Sequence, residues 1–182
     1  YGVAMEIDYV MAVDPGQATG VAIARYSATM PMEVLFTEIV SGGAHGFAVW
    51  LHQTRDGKTI VENDCSYNFP EEYDELNYYF GVVCENFKLR GGNFAPDLEP
   101  LRIEGILMDH FGTNIEWHSP ADKSLIGDAF LKENDLWLTG RDVGHEDARD
   151  ANDAMIHLFV HAMRIRHLPT LELYWRNNVK ST

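Results

Sequence analysis

The sequence predicts a mixed α/β sheet with helices packed on its faces, and three observations carry that expectation. Short apolar runs alternate with turn residues through the first 40 positions. Two later apolar runs are separated by a segment with helical spacing, and the chain closes on a long amphipathic stretch. With no repeats and no low-complexity tract, residues 1–182 read as one domain, large enough to bury a core.

Tyr9–Asp14 is a nearly continuous apolar run, as expected of a central strand covered on both faces. Gly20–Tyr26 follows a Gln-Ala-Thr turn, and Glu33–Val40 is bounded by Pro31 and by Gly42-Gly43. The short connections favour antiparallel pairing of these three strands. Ala44–Gln53 crowds Phe47, Val49, Trp50 and Leu51 together, which fits a short helix ending near Gly57. Residues 56–77 are acidic and aromatic without a clear period, a surface insertion or an irregular extension of that helix. Tyr78–Phe87 is the next strand. Gly91, Gly92 and Pro96 mark a loop, and Asp97–Phe111 carries helical spacing through Leu98, Leu101, Ile106, Leu107 and Phe111. Asn114–His118 is a short strand. Ser119 as N-cap and Pro120 at the first helical position start a helix through about Lys132. The last helix runs from about His145 to Arg166, with Ala151, Ala154, Met155, Leu158, Phe159 and Ala162 on its apolar face, and Pro169 closes it.

Bulk properties remove several classes of function. No apolar stretch approaches the roughly 20 residues that span a bilayer, and the N-terminus lacks a basic-then-apolar leader, so no membrane role is expected. Cys65 and Cys84 make neither a disulfide framework nor a zinc site, and they point to a reducing, cytoplasmic compartment. The net charge of −14 weighs against a polyanion as partner. Two considerations soften that objection. Acids that hold divalent cations are neutralised, and the acids concentrate at 62–75 while Lys88, Arg90, Lys123, Lys132, Arg141 and Arg149 lie elsewhere.

The acids carry the chemistry. Asp14 ends the first apolar run, and Glu85 is embedded in Gly81–Phe87. Ionised carboxylates in core strands cost several kcal/mol unless a partner, typically a cation, compensates them. Parallel neighbouring strands joined by a crossover would bring both acids to the carboxyl edge of the sheet, where ligands of open α/β sheets gather. Asp147, Asp150 and Asp153 recur at three-residue spacing and can face that edge from a helix. Oxygen-only ligation selects Mg²⁺ or Mn²⁺ over zinc. A cluster of three or four carboxylates commonly holds two such ions, which divide the activation of water and the stabilisation of a leaving oxygen at phosphorus. Each acid also has a plain alternative. Asp14-Pro-Gly makes an ordinary turn, and Asp147 and Asp150 complement a helix dipole. Glu85 is the hardest to explain without a partner.

At these residues the chain resembles the RuvC-type Holliday junction resolvases of the ribonuclease H-like superfamily, in particular short bacteriophage forms. The resemblance runs through VDPGQATGVAIA at Val13–Ala24, the spacing of Gly43–Leu51, VVCENFKLR at Val82–Arg90, WHSPADKS at Trp117–Ser124 and HEDARDANDA at His145–Ala154. It implies a ribonuclease H-like mixed five-stranded sheet and two Mg²⁺ or Mn²⁺ ions held by Asp14, Glu85 and two acids of the last helix. It also implies a homodimer that cuts four-way DNA junctions symmetrically, in a bacterial cell or phage-infected host. The family pattern of an acid or His, two residues, then Asp-Ala fits both Asp147/Asp150 and Asp150/Asp153; the Ala-Arg-Asp-Ala context slightly favours the first pair. Lys123 resembles the family lysine beside the scissile phosphate, or is an exposed helix lysine. Phe87, Lys88 and Arg90 fit a role in stacking on an opened base and holding phosphates, although Phe87 also suits the core. Gln17 and Thr19 fit contacts to the DNA backbone. His145 is a further acid/base candidate, or a residue of the helix cap region; the eight histidines lack zinc spacing.

Three rivals remain at the level of sequence. Asp14-x-Gly16-x-x-Thr19-Gly20 also resembles the phosphate loop of sugar-kinase and actin-like ATPases, which need a second homologous domain that 182 residues cannot supply. A broader nuclease would act on flaps, branched DNA or RNA–DNA hybrids. A non-catalytic junction-binding protein would bind without cutting.

Overall fold

A computed structural model describes residues 7–55, 80–88 and 97–175 of the chain. Five strands form one sheet in the order β3-β2-β1-β4-β5. The strands are β1 (Asp8–Asp14), β2 (Ala18–Tyr26), β3 (Glu33–Ser41), β4 (Phe80–Glu85) and β5 (Ile115–His118). β1, β2 and β3 pair antiparallel, as their short connections require, whereas β4 lies parallel to β1 and β5 parallel to β4. Helices α1 (Gly43–Arg55) and α2 (Glu99–Phe111) precede β4 and β5; α3 (Gly127–Glu133), α4 (Arg149–Arg164) and α5 (Leu168–Trp175) follow.

The alternation of side chains along each strand divides the core into two halves. Met11, Val13, Val21, Ile23, Val82 and Cys84 pack with Phe47, Trp50, Leu51, Ile103 and Leu107 of α1 and α2. Val10, Ala12, Ala22, Ala24 and Val83 face Met155, Leu158 and Phe159 of α4 with Phe130 and Leu131 of α3. The second face is built from small residues. Ala12, Ala22 and Ala24 share one cluster with Ala154 and Ala162, so α4 comes close to the sheet. The approach is tightest at Gly20, where a Cβ would overlap the Asp150 carbonyl oxygen.

Several boundaries differ from those expected. The segment after Ser119 is not one helix. Ser119 does cap it, accepting the Ala121 N–H at 3.3 Å while Asp122 reaches back to the Ser119 N–H at 2.6 Å. The turn over Pro120–Leu125 is 3-10, however, and Gly127, at a φ of +70°, redirects the chain into α3. The last long helix starts at Arg149 rather than His145, because Asp147 accepts the Arg149 N–H at 2.7 Å and holds the preceding residues in a turn. Pro169 lies in the first turn of α5 instead of only ending α4, a position that proline tolerates. Tyr174 and Trp175 of α5 lean on Phe130 and Phe159. Residues 56–77, the first two positions of the expected fourth strand, Cys65 and Arg90 lie outside the described residues.

Gly20→Ala is expected to destabilise the protein by about 1–3 kcal/mol, the usual cost of overpacking a tight interior contact. Because the displaced element is the start of α4, divalent-cation binding should weaken as well. Urea denaturation and calorimetric titration with Mn²⁺ read the two effects separately.

Candidate metal centre

β1 and β4 are parallel, and their register pairs Val13 with Cys84, so Asp14 and Glu85 leave the sheet side by side at its carboxyl edge. Strand alternation turns Asp14 to the same face as Val10 and Ala12, and Glu85 to that of Val83, which is the face covered by α4. The tight contact at Gly20 sets the first turns of α4 over this edge. Asp150 and Asp153 lie there one helical turn apart. From the opposite side, the capped 3-10 turn delivers Lys123. Its Nζ lies 2.8 Å from Glu85 Oε2, 2.8 Å from Asp153 Oδ2 and 3.3 Å from Asp14 Oδ1.

One ammonium cannot balance this many acids. Burial pushes the Asp14 carboxyl up to about 8; Lys123 opposes the rise, while Glu85, Asp153 and Asp150 add to it. Burial also raises Asp150, reinforced by Asp147 and Asp153. Glu85 goes the other way. Its burial is outweighed by hydrogen bonds from His157 and Lys123, and it is held below the ordinary carboxylate range. Lys123 is held protonated well above the usual lysine range, burial being overcome by Asp14, Asp153 and Glu85. Four carboxylates around one lysine are a hard, oxygen-rich and under-neutralised donor set, which fits one or more divalent cations. One oxygen each from Asp14 and Glu85 and a ring nitrogen of His157 lie within 4.8 Å of one another.

The residues expected from sequence fall into three groups. Asp14, Glu85, Asp153 and Lys123 are in direct contact, and Asp150 stands in their electrostatic field. The helix acids at the cluster are therefore Asp150 and Asp153 rather than the slightly favoured Asp147 and Asp150. Asp147 precedes the helix, is exposed, and spends its carboxylate on the Arg149 N–H, although its charge is still felt at Asp150. Phe87, half-buried, and Lys88, exposed, border a cleft of about 280 Å³ with Glu85, Pro15 and Pro120; Lys88 Nζ donates to Ser119 Oγ at 2.9 Å. Gln17 is exposed on the turn after Asp14. Thr19 is fully buried and its hydroxyl donates to the Gly16 carbonyl at 3.0 Å, so it shapes that turn and offers nothing to a DNA backbone. His145 is exposed, with Nδ1 3.2 Å from the Asp147 carbonyl oxygen.

His157, which sequence reasoning passed over, is the unexpected member. It is fully buried, with Nε2 3.2 Å from Glu85 Oε2 and Nδ1 2.9 Å from Nδ1 of the equally buried His118. His118 Nε2 lies 2.7 Å from Glu116 Oε1. The available signal was spacing: Asp150, Asp153, His157, His161 and Arg164 recur every three or four residues, one polar stripe along α4. On the other flank of the cluster a groove of about 590 Å³ runs between Asp153, Asn152 and Arg149 of α4 and Trp137, Leu138 and Thr139.

No family model matches the chain, and no curated protein matches it in sequence. Solved structures do. The chain is similar to RuvC of Thermus thermophilus in complex with a Holliday junction substrate, with a TM-score of 0.53, 14% identity, and coverage of 89% of this chain and 97% of that one. A second Thermus thermophilus RuvC structure matches with a TM-score of 0.53 and 14% identity over 87% and 95% of the two chains. At this identity the likeness is one of fold. The mixed five-stranded sheet flanked by helices is an architecture the chain shares with these RuvC structures. No described helix is long and apolar enough to cross a membrane.

The displaced Asp14 carboxyl makes stability depend on pH. Below about pH 4 the group is protonated in both folded and unfolded chains and contributes no difference. Between the ordinary value of 3.8 and about 8 the unfolded chain loses the proton that the folded chain keeps, so stability falls as pH rises and levels off above pH 8. Asp14→Asn should therefore stabilise the cation-free protein by roughly 2–5 kcal/mol at pH 8 and hardly at all at pH 4. Melting curves in EDTA across this range test it, and saturating Mg²⁺ or Mn²⁺ should abolish the advantage of the variant.

Proposed function

We propose that this chain is a divalent-cation-dependent endonuclease that hydrolyses DNA phosphodiesters at four-way junctions. The observation that carries the reading is the convergence of Asp14, Glu85, Asp150 and Asp153 on one point at the sheet edge, in a fold whose solved counterpart holds a Holliday junction substrate. Bound there, Mg²⁺ or Mn²⁺ would supply Lewis acidity and a nucleophile at neutral pH. Asp14, Glu85 and Asp153 would hold the cations, with Asp150 completing the set and Asp147 adding negative charge at its margin. Lys123 keeps its proton throughout the neutral range and would pass from the carboxylates to a non-bridging phosphate oxygen, offsetting charge as the bond to phosphorus changes.

The surroundings suit a branched duplex. Phe87 and Lys88 at the rim of the cleft beside Glu85 would stack on an unpaired base and hold a phosphate, with Arg90 following in sequence. Gln17 would reach the backbone from the turn beyond Asp14. Arg149 and Trp137 line the groove on the opposite flank and give the strand a continuation past Asp153. A homodimer would supply paired nicks. Leu101, Gly105 and Met108 share one stripe of α2; both apolar side chains are exposed, and nothing lies within 4 Å of where a Gly105 Cβ would stand, a surface that suits a second copy.

The test is cleavage of a labelled synthetic four-way junction beside linear duplex, flap and RNA–DNA hybrid controls in Mg²⁺, Mn²⁺ or EDTA. Paired cuts on the junction are expected only with cation, falling at least ~100-fold in Asp14→Asn. Equal cutting of flaps or hybrids would retain the nuclease and remove junction selectivity. Binding without cutting under every condition would replace the enzyme with a junction-binding protein. Affinity for the junction should weaken steeply with added salt and improve with divalent cation, and salt-insensitive binding would count against recognition through phosphates.

A further inference from the structure

The carboxyl groups of the centre offer only oxygen, and oxygen ligands alone would leave it a typical Mg²⁺ site. The buried histidines beside it change that reading. Glu116 anchors them. Its burial is outweighed by hydrogen bonds from His118 and His161, and its carboxyl is held far below the ordinary range, so it is a carboxylate and can only accept. Oε1 accepts from His118 Nε2 at 2.7 Å, Oε2 from His161 Nδ1 at 2.6 Å, and Arg164 Nη1 donates to Oε1 at 3.2 Å. His118 therefore carries its hydrogen on Nε2.

The consequence passes along the chain. The other ring nitrogen, Nδ1, faces Nδ1 of His157 at 2.9 Å and is placed to accept its hydrogen. The remaining nitrogen of His157, Nε2, lies 3.2 Å from Glu85 Oε2 and within 4.8 Å of an Asp14 oxygen, where a cation would take the place of the hydrogen shared with Glu85. Both rings are fully buried. Register makes the arrangement rigid. His118 pairs with Glu85 across β5 and β4, and His157 follows Asp153 by one turn of α4.

Resting on the reading of the carboxylate cluster as a cation site, we infer that His157 is a nitrogen ligand of the cation shared by Asp14 and Glu85, in the tautomer that Glu116 sets through His118. Glu116 and His118 are positioning residues, acting on the cation only through the orientation and tautomer of the ligand ring. A mixed nitrogen and oxygen donor set moves the preference of the site from Mg²⁺ towards Mn²⁺, which accepts imidazole more readily.

The experiment is electron spin-echo spectroscopy of the full chain loaded with Mn²⁺ alone at neutral pH, with no DNA. Protein of natural isotope content should show ¹⁴N modulation of the imidazole type, and protein grown on ¹⁵N-histidine should show it replaced by ¹⁵N. This comparison needs no substitution and survives any difficulty in folding a variant. His157→Gln, whose amide oxygen can still ligate, should bind Mn²⁺ and lose the nitrogen coupling, whereas His145→Gln should keep it. Glu116→Gln should raise the Mn²⁺ dissociation constant about tenfold and weaken the coupling. A purely structural Glu116 would lower the melting temperature and leave both unchanged. Bound Mn²⁺ without histidine coupling, coupling that persists in His157→Gln, or coupling lost in His145→Gln would overturn the inference while leaving the cation site standing. Failure to bind Mn²⁺ at all would overturn both, so the two failures are distinguishable.

Discussion

The molecule is organised around an electrostatic debt at one sheet edge. Asp14, Glu85 and Asp153 are drawn to within hydrogen-bond or ion-pair distance of a single ammonium, with Asp150 close enough to raise the Asp14 carboxyl further. No arrangement of these side chains alone removes the excess negative charge. The fold tolerates the cluster because separate elements, each stabilised elsewhere, press the acids together. β1 and β4 are central strands with apolar neighbours on both faces, and α4 is anchored along its length by Met155, Leu158 and Phe159. Repulsion at the edge is thus opposed by burial over the whole core.

The same opposition accounts for the choice of small residues. α4 can carry acids to the sheet edge only by lying nearly on the strands, and Ala12, Ala22 and Ala24 with Ala154 and Ala162 make that possible. Larger side chains would give a better isolated apolar face and a more distant helix. Lys123 depends on comparable precision from a less regular element. The capping box of Ser119 and Asp122 fixes the 3-10 turn, and Arg164 Nη2, 2.8 Å from Asp122 Oδ2, ties that turn to the end of α4. The lysine is therefore set by the helix that also bears Asp153.

Legibility in the sequence followed the physics of each element. The strands were readable because a sheet covered on both faces needs continuous apolar runs, and Asp14 and Glu85 stood out for interrupting them. The Ser119 cap was readable because its chemistry is local. The break at Gly127 was not, since a glycine inside a helical pattern does not announce a positive φ. The true start of α4 is not legible because Asp147 has the composition of a first helical turn, whereas its side chain closes a turn just before the helix. Thr19 illustrates a different limit: its type suits a backbone contact, but only the fold shows that its hydroxyl faces inward. His157 was hidden because its partners His118 and Glu85 lie 39 and 72 residues away in sequence and face it through strand alternation, which isolated histidines do not reveal.

Gly20 has a consequence for tracing ancestry. Its lack of a side chain is demanded by the backbone of α4, not by a ligand, so a chain that keeps this approach of helix to sheet keeps a glycine six positions after the first acid. Coupled to the two acids three residues apart near the end of the chain, it forms a sparse fingerprint: Asp, five residues, Gly, then a distant Asp-x-x-Asp. A fingerprint set by packing tolerates drift everywhere else. It offers a way to search for chains of this architecture where pairwise identity is as low as the 14% between this chain and the RuvC structures.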